Sequence, residues 1–302
     1  MKKDFLSALD VSKEEVYQIF ELSKRLKEVP LGEQLRGKVF ALLFEKPSTR
    51  TRISFEAGIM HLGGSTVYID ASTTQLARGE TIEDTARTLE RYVDMVIARV
   101  YSHESLIKLA INMKKPVVNA LSDLEHPCQA LADYFTIWEK FGRVEGVRLA
   151  YVGDGNNVCH SLLLMGALLG VDLRIASPQR YMPNRAIIER AEEILGRPLL
   201  LTEEPKDAVK GADVVYTDVF ASMGMEKERE ERLRTFLPKY QVTEELMGLA
   251  SEKAVFMHCL PAKRGQEVVD EVIDGPRSIV FDQAENRMHT QKALVLKLLG
   301  LA

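Results

Sequence analysis

Cysteine is scarce in this chain of 302 residues, which carries only Cys128, Cys159 and Cys259. Three thiols at such wide spacings do not make the paired pattern of a disulfide framework, and they suit a reducing compartment. An excess of charge of one sign is also missing. The 40 Lys and Arg against 44 Asp and Glu leave a net charge of -4, which offers no electrostatic case for a nucleic-acid partner. Long apolar runs are absent too: the longest, residues 162–171, is too short to span a bilayer, and the start Met1-Lys2-Lys3-Asp4 leads into no signal-peptide core. The six histidines show neither H-E-x-x-H nor a paired-cysteine spacing, so no metal site is expected. No repeat or low-complexity tract is present. These absences lead to the expectation of a soluble, cytoplasmic protein with no nucleic-acid and no membrane partner.

What is present is the material for a core. With 46% hydrophobic and 28% charged residues, the chain can bury one large core or two of average size. Short β-rich runs alternate with helical ones, the pattern of parallel βαβ units. The first set of expected strands covers residues 39–44, 65–69, 95–99 and 117–120, followed by a helix from Pro127 to about Phe141. After Gly142 and Gly146 the alternation restarts at 147–152, 173–176, 214–219, 254–259 and 279–281. The predicted fold class is therefore α/β, with two domains joined near residue 140, each with a central parallel sheet flanked by helices. A last helix, from about residue 286 onward, is apolar on one side and can pack on either domain. Open parallel sheets bind ligands outside the carboxyl ends of their strands.

Five such ends carry candidate chemistry. The first is Ser48-Thr49-Arg50-Thr51-Arg52, directly after the apolar run 38–44 and before a helix-like stretch that stops at Gly63-Gly64. Ser48 or Thr49 can cap that helix, whose N-terminal N–H groups, with a guanidinium fork beside them, form an anion site; an ordinary capped helix would carry the same letters. The second is His126-Pro127-Cys128-Gln129. Proline is favoured at the first helical position, so His126 falls at the cap and Gln129 on the same face of the first turn, where an imidazole and an amide can meet one small ligand or merely cap and solvate the helix.

The third, Gly153-Asp154-Gly155-Asn156-Asn157-Val158, lacks the third glycine of a dinucleotide fingerprint. No acidic residue ends the next strand at Ala176-Ser177-Pro178, so NAD is not expected. The asparagines can hold a carboxylate or cap a helix. The fourth is Asp218, a carboxylate at the sheet's edge suited to an ammonium, followed by Ser222-Met223-Gly224 and a charged run over 226–234 that reads as a solvated helix. The fifth is His258-Cys259-Leu260-Pro261. Adjacent strand residues point to opposite faces, so His258 is poorly placed as a base for Cys259.

In this order the motifs resemble the aspartate/ornithine carbamoyltransferase family over nearly the whole chain. Ser-Thr-Arg-Thr at 48–51 and His-Pro-x-Gln at 126–129 are similar to the motifs shared by the family. Asp-x-x-x-Ser-Met-Gly at 218–224, His-Cys-Leu-Pro at 258–261 and Glu-Asn-Arg-Met-His at 285–289 resemble those of its ornithine branch. The resemblance implies a carbamoyl-phosphate domain over 1–140, with the C-terminal helix 286–302 packing back on it, and an ornithine domain over 141–285. It implies carbamoyl transfer from carbamoyl phosphate to the δ-amine of L-ornithine, with no cofactor and no metal. Ser48, Thr49, Arg50 and Thr51 would hold the phosphate and Arg99 would bridge phosphate and carbonyl oxygen. His126, Gln129, Arg287 and the backbone carbonyls of Cys259 and Leu260 would hold the carbamoyl group. Asn157 and the Met223 N–H would bind the ornithine carboxylate, Asp218 and Ser222 its α-ammonium, and Cys259 would orient the reacting amine. Arg50, Arg99, His126 and Cys259 would be the catalytic set.

The resemblance further implies a homotrimer or an assembly of trimers, in which Gln75, on the loop 72–80, reaches a neighbouring subunit's pocket. Closure of the two domains with the 222–224 loop would exclude water. Aspartate, putrescine and N-acetylornithine carbamoyltransferases would share the first-domain motifs; Gln75, where an aspartate enzyme would carry lysine, and Asp218 with Ser222-Met223-Gly224 point to free ornithine. A non-catalytic phosphate-binding module is the competing class, against which the intact set of Arg50, Asp218 and Cys259 argues.

Overall fold

The computed structural model describes residues 3–221 and 226–302; the expected site residues Ser222 and Met223 lie outside the described residues. The chain divides into two compact units, one made of Met1–Phe135 with Glu285–Ala302 and the other of Thr136–Ala284. One junction falls inside the helix Pro127–Phe141 and the other inside the helix Val280–Leu299.

In the first unit β1 (Val39–Phe44), β2 (Ser65–Asp70), β3 (Met95–Arg99) and β4 (Val117–Leu121) form a parallel sheet in the order β2-β1-β3-β4. All of β3, and all of β1 after Val39, is buried, which is why both read as unbroken apolar runs instead of alternating ones. Ala41, Leu43, Val96 and Ala98 pack against Leu106 and Leu109 in one core cluster. From β1 the chain moves outward to β2 and then crosses to β3 on the other side. The carboxyl ends of β1 and β3 thus flank the switch point of the sheet, with Phe44 and Arg99 in register.

In the second unit β5 (Arg148–Val152), β6 (Asp172–Ala176), β7 (Leu200–Thr202), β8 (Val214–Thr217) and β9 (Val255–His258) are parallel in the order β7-β6-β5-β8-β9. The switch point here lies between β5 and β8. Asp218 therefore follows an interior strand, not the edge of the sheet as its sequence position suggested.

Two further differences from the sequence expectation concern strands. The short β7, which carries no long apolar run, was not anticipated. Residues 279–281 are not a strand: Phe256 N–H donates to Arg277 O and Ile279 N–H to Phe256 O, one ladder step beside β9, after which Val280 opens the last helix. Val280 is buried in the core of the second unit while Phe281 is 70% exposed, the one-sided burial of a helix start.

The glycines of the third motif have a packing reason. Gly153 holds φ at +139°, and a Cβ on Gly155 would sit 2.2 Å from the backbone nitrogen of Pro183. Among the described residues no helix is long and apolar enough to cross a membrane.

Candidate active site

Ser48 caps the helix Thr49–His61, its hydroxyl accepting from Thr51 N–H at 3.3 Å. No acidic residue occupies the first turn, so the helix sets no carboxylate of its own against its positive end. Thr49 is exposed and Arg50 half-buried, whereas Arg52 is engaged elsewhere, bonded to Glu56 at 3.1 Å and stacked 3.8 Å over the Tyr68 ring. Only part of the basic-hydroxyl run is thus offered to a ligand.

Arg287 on the last helix connects two of the expected motifs. Its Nη2 donates to Thr51 Oγ1 at 3.1 Å and its Nη1 to Gln129 Oε1 at 2.7 Å, while Gln129 Nε2 donates to Asp133 Oδ1 at 2.8 Å. Arg99, at the carboxyl end of β3, is 7% exposed. Burial, then the charges of Arg287 and Arg99, hold the His126 imidazole well below its usual value of 6.5. His126 is therefore neutral near pH 7 and presents a donor or an acceptor without competing for anionic ligands. Burial and the Arg99 charge likewise lower Lys46, whose ammonium lies 4.4 Å from the Tyr101 ring centroid. The result is a cluster of cationic side chains around a neutral imidazole. Cys128, inside the same motif, is excluded from thiolate chemistry, since burial pushes its thiol up to about 12.

Gln75 is exposed on a one-turn 3-10 helix, Gln75–Arg78, ended by Gly79 at φ +96°. The stretch expected to be plain loop contains this turn and another, Ala71–Thr73.

In the second unit the asparagines part company. Asn156 caps the helix Asn157–Leu169 through Oδ1, which accepts from Val158 N–H at 3.0 Å and Cys159 N–H at 3.2 Å, and its Nδ2 donates to Asp218 Oδ2 at 2.7 Å. The other oxygen of Asp218 accepts from Val219 N–H at 2.8 Å and from Cys259 Sγ at 3.1 Å. Asn157, the expected ligand-binding residue, occupies the first helical position and is half-buried.

Behind this group Arg232 Nη1 bonds Asp154 Oδ2 at 2.9 Å and Phe220 O at 3.1 Å, and its guanidinium lies 4.6 Å from the Tyr181 ring centroid. The charged run is therefore not wholly solvated. Burial raises the Asp154 carboxyl to about 6 although Arg232 pulls it down, so desolvation outweighs the ion pair.

Asp218, His258 and Cys259 bring potential ligand atoms within 4.8 Å of one another. His258 is unsuited to a metal, however: its Nδ1 accepts from Leu260 N–H at 2.8 Å, which puts the proton on Nε2, 3.1 Å from Glu267 Oε1. This buried His258–Glu267 pair braces the turn carrying Cys259 and Leu260, and Leu260 holds a left-handed φ of 54°. His258 is thus occupied with structure and is not a base for Cys259.

Sequence reasoning missed Lys46, Asp133, Arg232 and Glu267, and gave no role to Asp154 inside the third motif. Asp133 had a usable signal, four residues after Gln129 and so on the same helical face. The others are joined only by the fold.

Cationic side chains thus gather beside a neutral imidazole at one switch point, and a buried carboxylate lies at the other. The family model described as Aspartate/ornithine carbamoyltransferase, carbamoyl-P binding domain, matches residues 3–139, and that described as the Asp/Orn binding domain of the same family matches residues 145–298. The chain belongs to the aspartate/ornithine carbamoyltransferase family. It is 54% identical over 302 residues to an ornithine carbamoyltransferase of Methanothermobacter thermautotrophicus, covering 99% of each chain. With the ornithine carbamoyltransferase of Pyrococcus horikoshii it shares 52% identity over 305 residues, 99% of this chain and 96% of the relative. The solved structure of ornithine carbamoyltransferase from Pyrococcus furiosus is similar with a TM-score of 0.94 at 50% identity, covering 99% of this chain and 97% of that one.

Proposed function

We propose that this chain carries out the ornithine carbamoyltransferase reaction, moving the carbamoyl group of carbamoyl phosphate to the δ-amine of L-ornithine to give L-citrulline and phosphate. The observation that carries the reading is Arg287 bonded at once to Thr51 of the capped turn and to Gln129 beside a neutral His126. Ser48, Thr49, Arg50 and Thr51 hold the phosphate, Arg99 bridges phosphate and carbonyl oxygen, and His126, Gln129 and Arg287 hold the carbamoyl group. Asp218 takes the ornithine α-ammonium with Ser222, Asn157 and Met223 take the α-carboxylate, and Cys259 orients the δ-amine.

The δ-nitrogen attacks the carbonyl carbon, a tetrahedral oxyanion forms, and phosphate departs. Thr51, Arg99 and His126 meet the growing charge as preorganised donors. An alkyl amine with a pKa near 10.4 is neutral in only about one molecule in a few thousand at pH 7, so the site must select or create that form. The leaving phosphate is a strong proton acceptor, and no separate general base is needed. The enzyme serves arginine biosynthesis in the cytoplasm as a homotrimer or an assembly of trimers, with Gln75 completing a neighbouring subunit's pocket.

The test is a citrulline assay on purified protein with ornithine, aspartate, putrescine and N-acetylornithine as acceptors. Ornithine should be strongly preferred. Putrescine lacks the carboxylate for Asn157, and N-acetylornithine lacks the ammonium for Asp218. Equal turnover of N-acetylornithine would remove the role given to Asp218.

A further inference from the structure

We propose that Asp133 is a positioning residue that locks the Gln129 side-chain amide in one orientation and thereby makes the pocket selective for a ligand bearing an NH2 group. The inference rests on the reading of the first unit as a carbamoyl phosphate site and adds to it the residue that sets its chemical discrimination.

Gln129 and Asp133 lie one turn apart on the helix Pro127–Phe141, with Nε2 2.8 Å from the Asp133 carboxylate. At the other end of the amide, Oε1 accepts from Arg287 Nη1 at 2.7 Å. A guanidinium only donates and a carboxylate only accepts, so the two ends of the amide cannot exchange. Turning it over would set NH2 against guanidinium donors and carbonyl oxygen against carboxylate. That would happen among side chains with exposures of 1% for Gln129, 0% for Asp133 and 4% for Arg287, where no water is at hand to relieve either clash.

The chemistry of the two flanking groups therefore assigns the orientation. A carbonyl oxygen has two lone pairs, and Arg287 takes one. The other makes the pocket end of Gln129 an acceptor, which rewards an N–H and gives nothing to a methyl group in its place. Asp133 acts through Gln129 and never needs to touch the ligand.

The experiment compares two carbamoyl phosphate mimics, phosphonoacetamide and acetonylphosphonate, which differ only by NH2 against CH3, as inhibitors of the intact enzyme. Inorganic phosphate serves as the reference ligand. Wild type should favour the amide by about tenfold, the worth of one neutral hydrogen bond. Asp133→Leu removes the acceptor that holds Nε2, and the preference should fall to about threefold or less, with phosphate binding little changed. Asp133→Asn keeps an acceptor oxygen, though it can also donate, and should restore most of the preference; loss of the preference in Asp133→Leu with phosphate binding kept is the outcome that a merely structural role would not predict. If Asp133→Leu does not fold, Asp133→Ala, smaller and open to water, is read in the same way. An unchanged preference in a folded Leu or Ala variant would overturn the inference and leave the carbamoyl phosphate reading standing. Failure of wild type to bind either mimic would remove that reading, and the inference with it.

Discussion

The thiol of Cys259 donates to Asp218 Oδ1 across 3.1 Å, joining the residues that follow two adjacent parallel strands. Thr217 and His258 are in register on β8 and β9, so the next residue of each strand emerges side by side. The thiol is thereby committed as a donor to a carboxylate that also binds Asn156.

Direct attack by ornithine requires no covalent role for that thiol. Cys259→Ser, which keeps a donor, should raise the ornithine KM by about tenfold or less, and Cys259→Ala should be the more damaging of the two, since it takes from Asp218 Oδ1 one of its two donors. Steady-state kinetics with ornithine as the varied substrate gives the comparison. Mass spectrometry of enzyme quenched in carbamoyl phosphate should show unmodified protein; a carbamoyl adduct on Cys259 would end the direct-attack mechanism.

Arg50 sits in the first turn of the Ser48-capped helix. Arg50→Ala should lower kcat by about a hundredfold to a thousandfold, the loss of one preorganised donor to developing charge, with ornithine binding little affected. Turnover within a few-fold of wild type would take Arg50 out of the site.

Exposed Gln75 gives the shared-site reading its own test. Gln75→Glu would set a carboxylate against phosphate and inactivate by repulsion. Co-refolding Gln75→Glu with Arg50→Ala should regenerate some intact sites where a chain with native Arg50 meets a neighbour with native Gln75. No recovery in verified mixed oligomers, or a monomer by sedimentation, would show that each pocket is built within one chain.

The depressed His126 has a consequence for stability. Below about 6.5 the unfolded chain binds a proton at this position that the folded chain refuses, so stability is fully present above that pH and is lost as pH falls through the folded value. His126→Gln should flatten the fall of the urea midpoint as pH is lowered below about 6.5. The same variant should lower kcat without removing any limb of the kcat profile near 6.5.

Asp154 has the opposite shift. Raised to about 6, it keeps its proton in the fold where the unfolded chain has lost it, so its contribution to stability declines as pH climbs toward 6. Arg232→Met removes the cation facing it and should cost about 3 kcal/mol at pH 8, since a buried carboxylate is left unpaired. Arg232 is what holds the carboxyl down to about 6, so without it Asp154 takes up its proton at a higher pH and the cost should shrink as pH is lowered toward 6. A penalty independent of pH would mean that Arg232 acts by packing on Tyr181 alone.

Much of this was legible in the sequence because buried parallel strands and capped helices are local events. Runs such as Val39-Phe40-Ala41-Leu42-Leu43-Phe44 and the Ser48 cap declare themselves within a few residues. Residues 279–281 misled because β-branched and aromatic side chains also suit the buried start of a helix. Asp218 could be recognised as a carboxylate past a strand, but its partners Asn156 and Cys259 depend on β5, β8 and β9 lying side by side, an order that periodicity does not reveal. Arg232 looks like any other charge on the helix Arg229–Phe236; only the tertiary fold buries it.

The first unit is assembled from both ends of the chain, with the whole of Thr136–Ala284 made between them. During synthesis, then, residues 1–135 leave the ribosome well before the segment that completes their pocket. A nascent chain halted at residue 284 would already possess Ser48, His126 and Gln129, yet would lack the guanidinium joining Thr51 to Gln129 and the Lys292 ammonium bonded to the carbonyls of Leu26 and Pro30. The bonds that tie Thr51 to Gln129, and the last helix to Leu26 and Pro30, thus form only after residues 136–284 have been made, so the order of translation sets the order in which the first unit is joined.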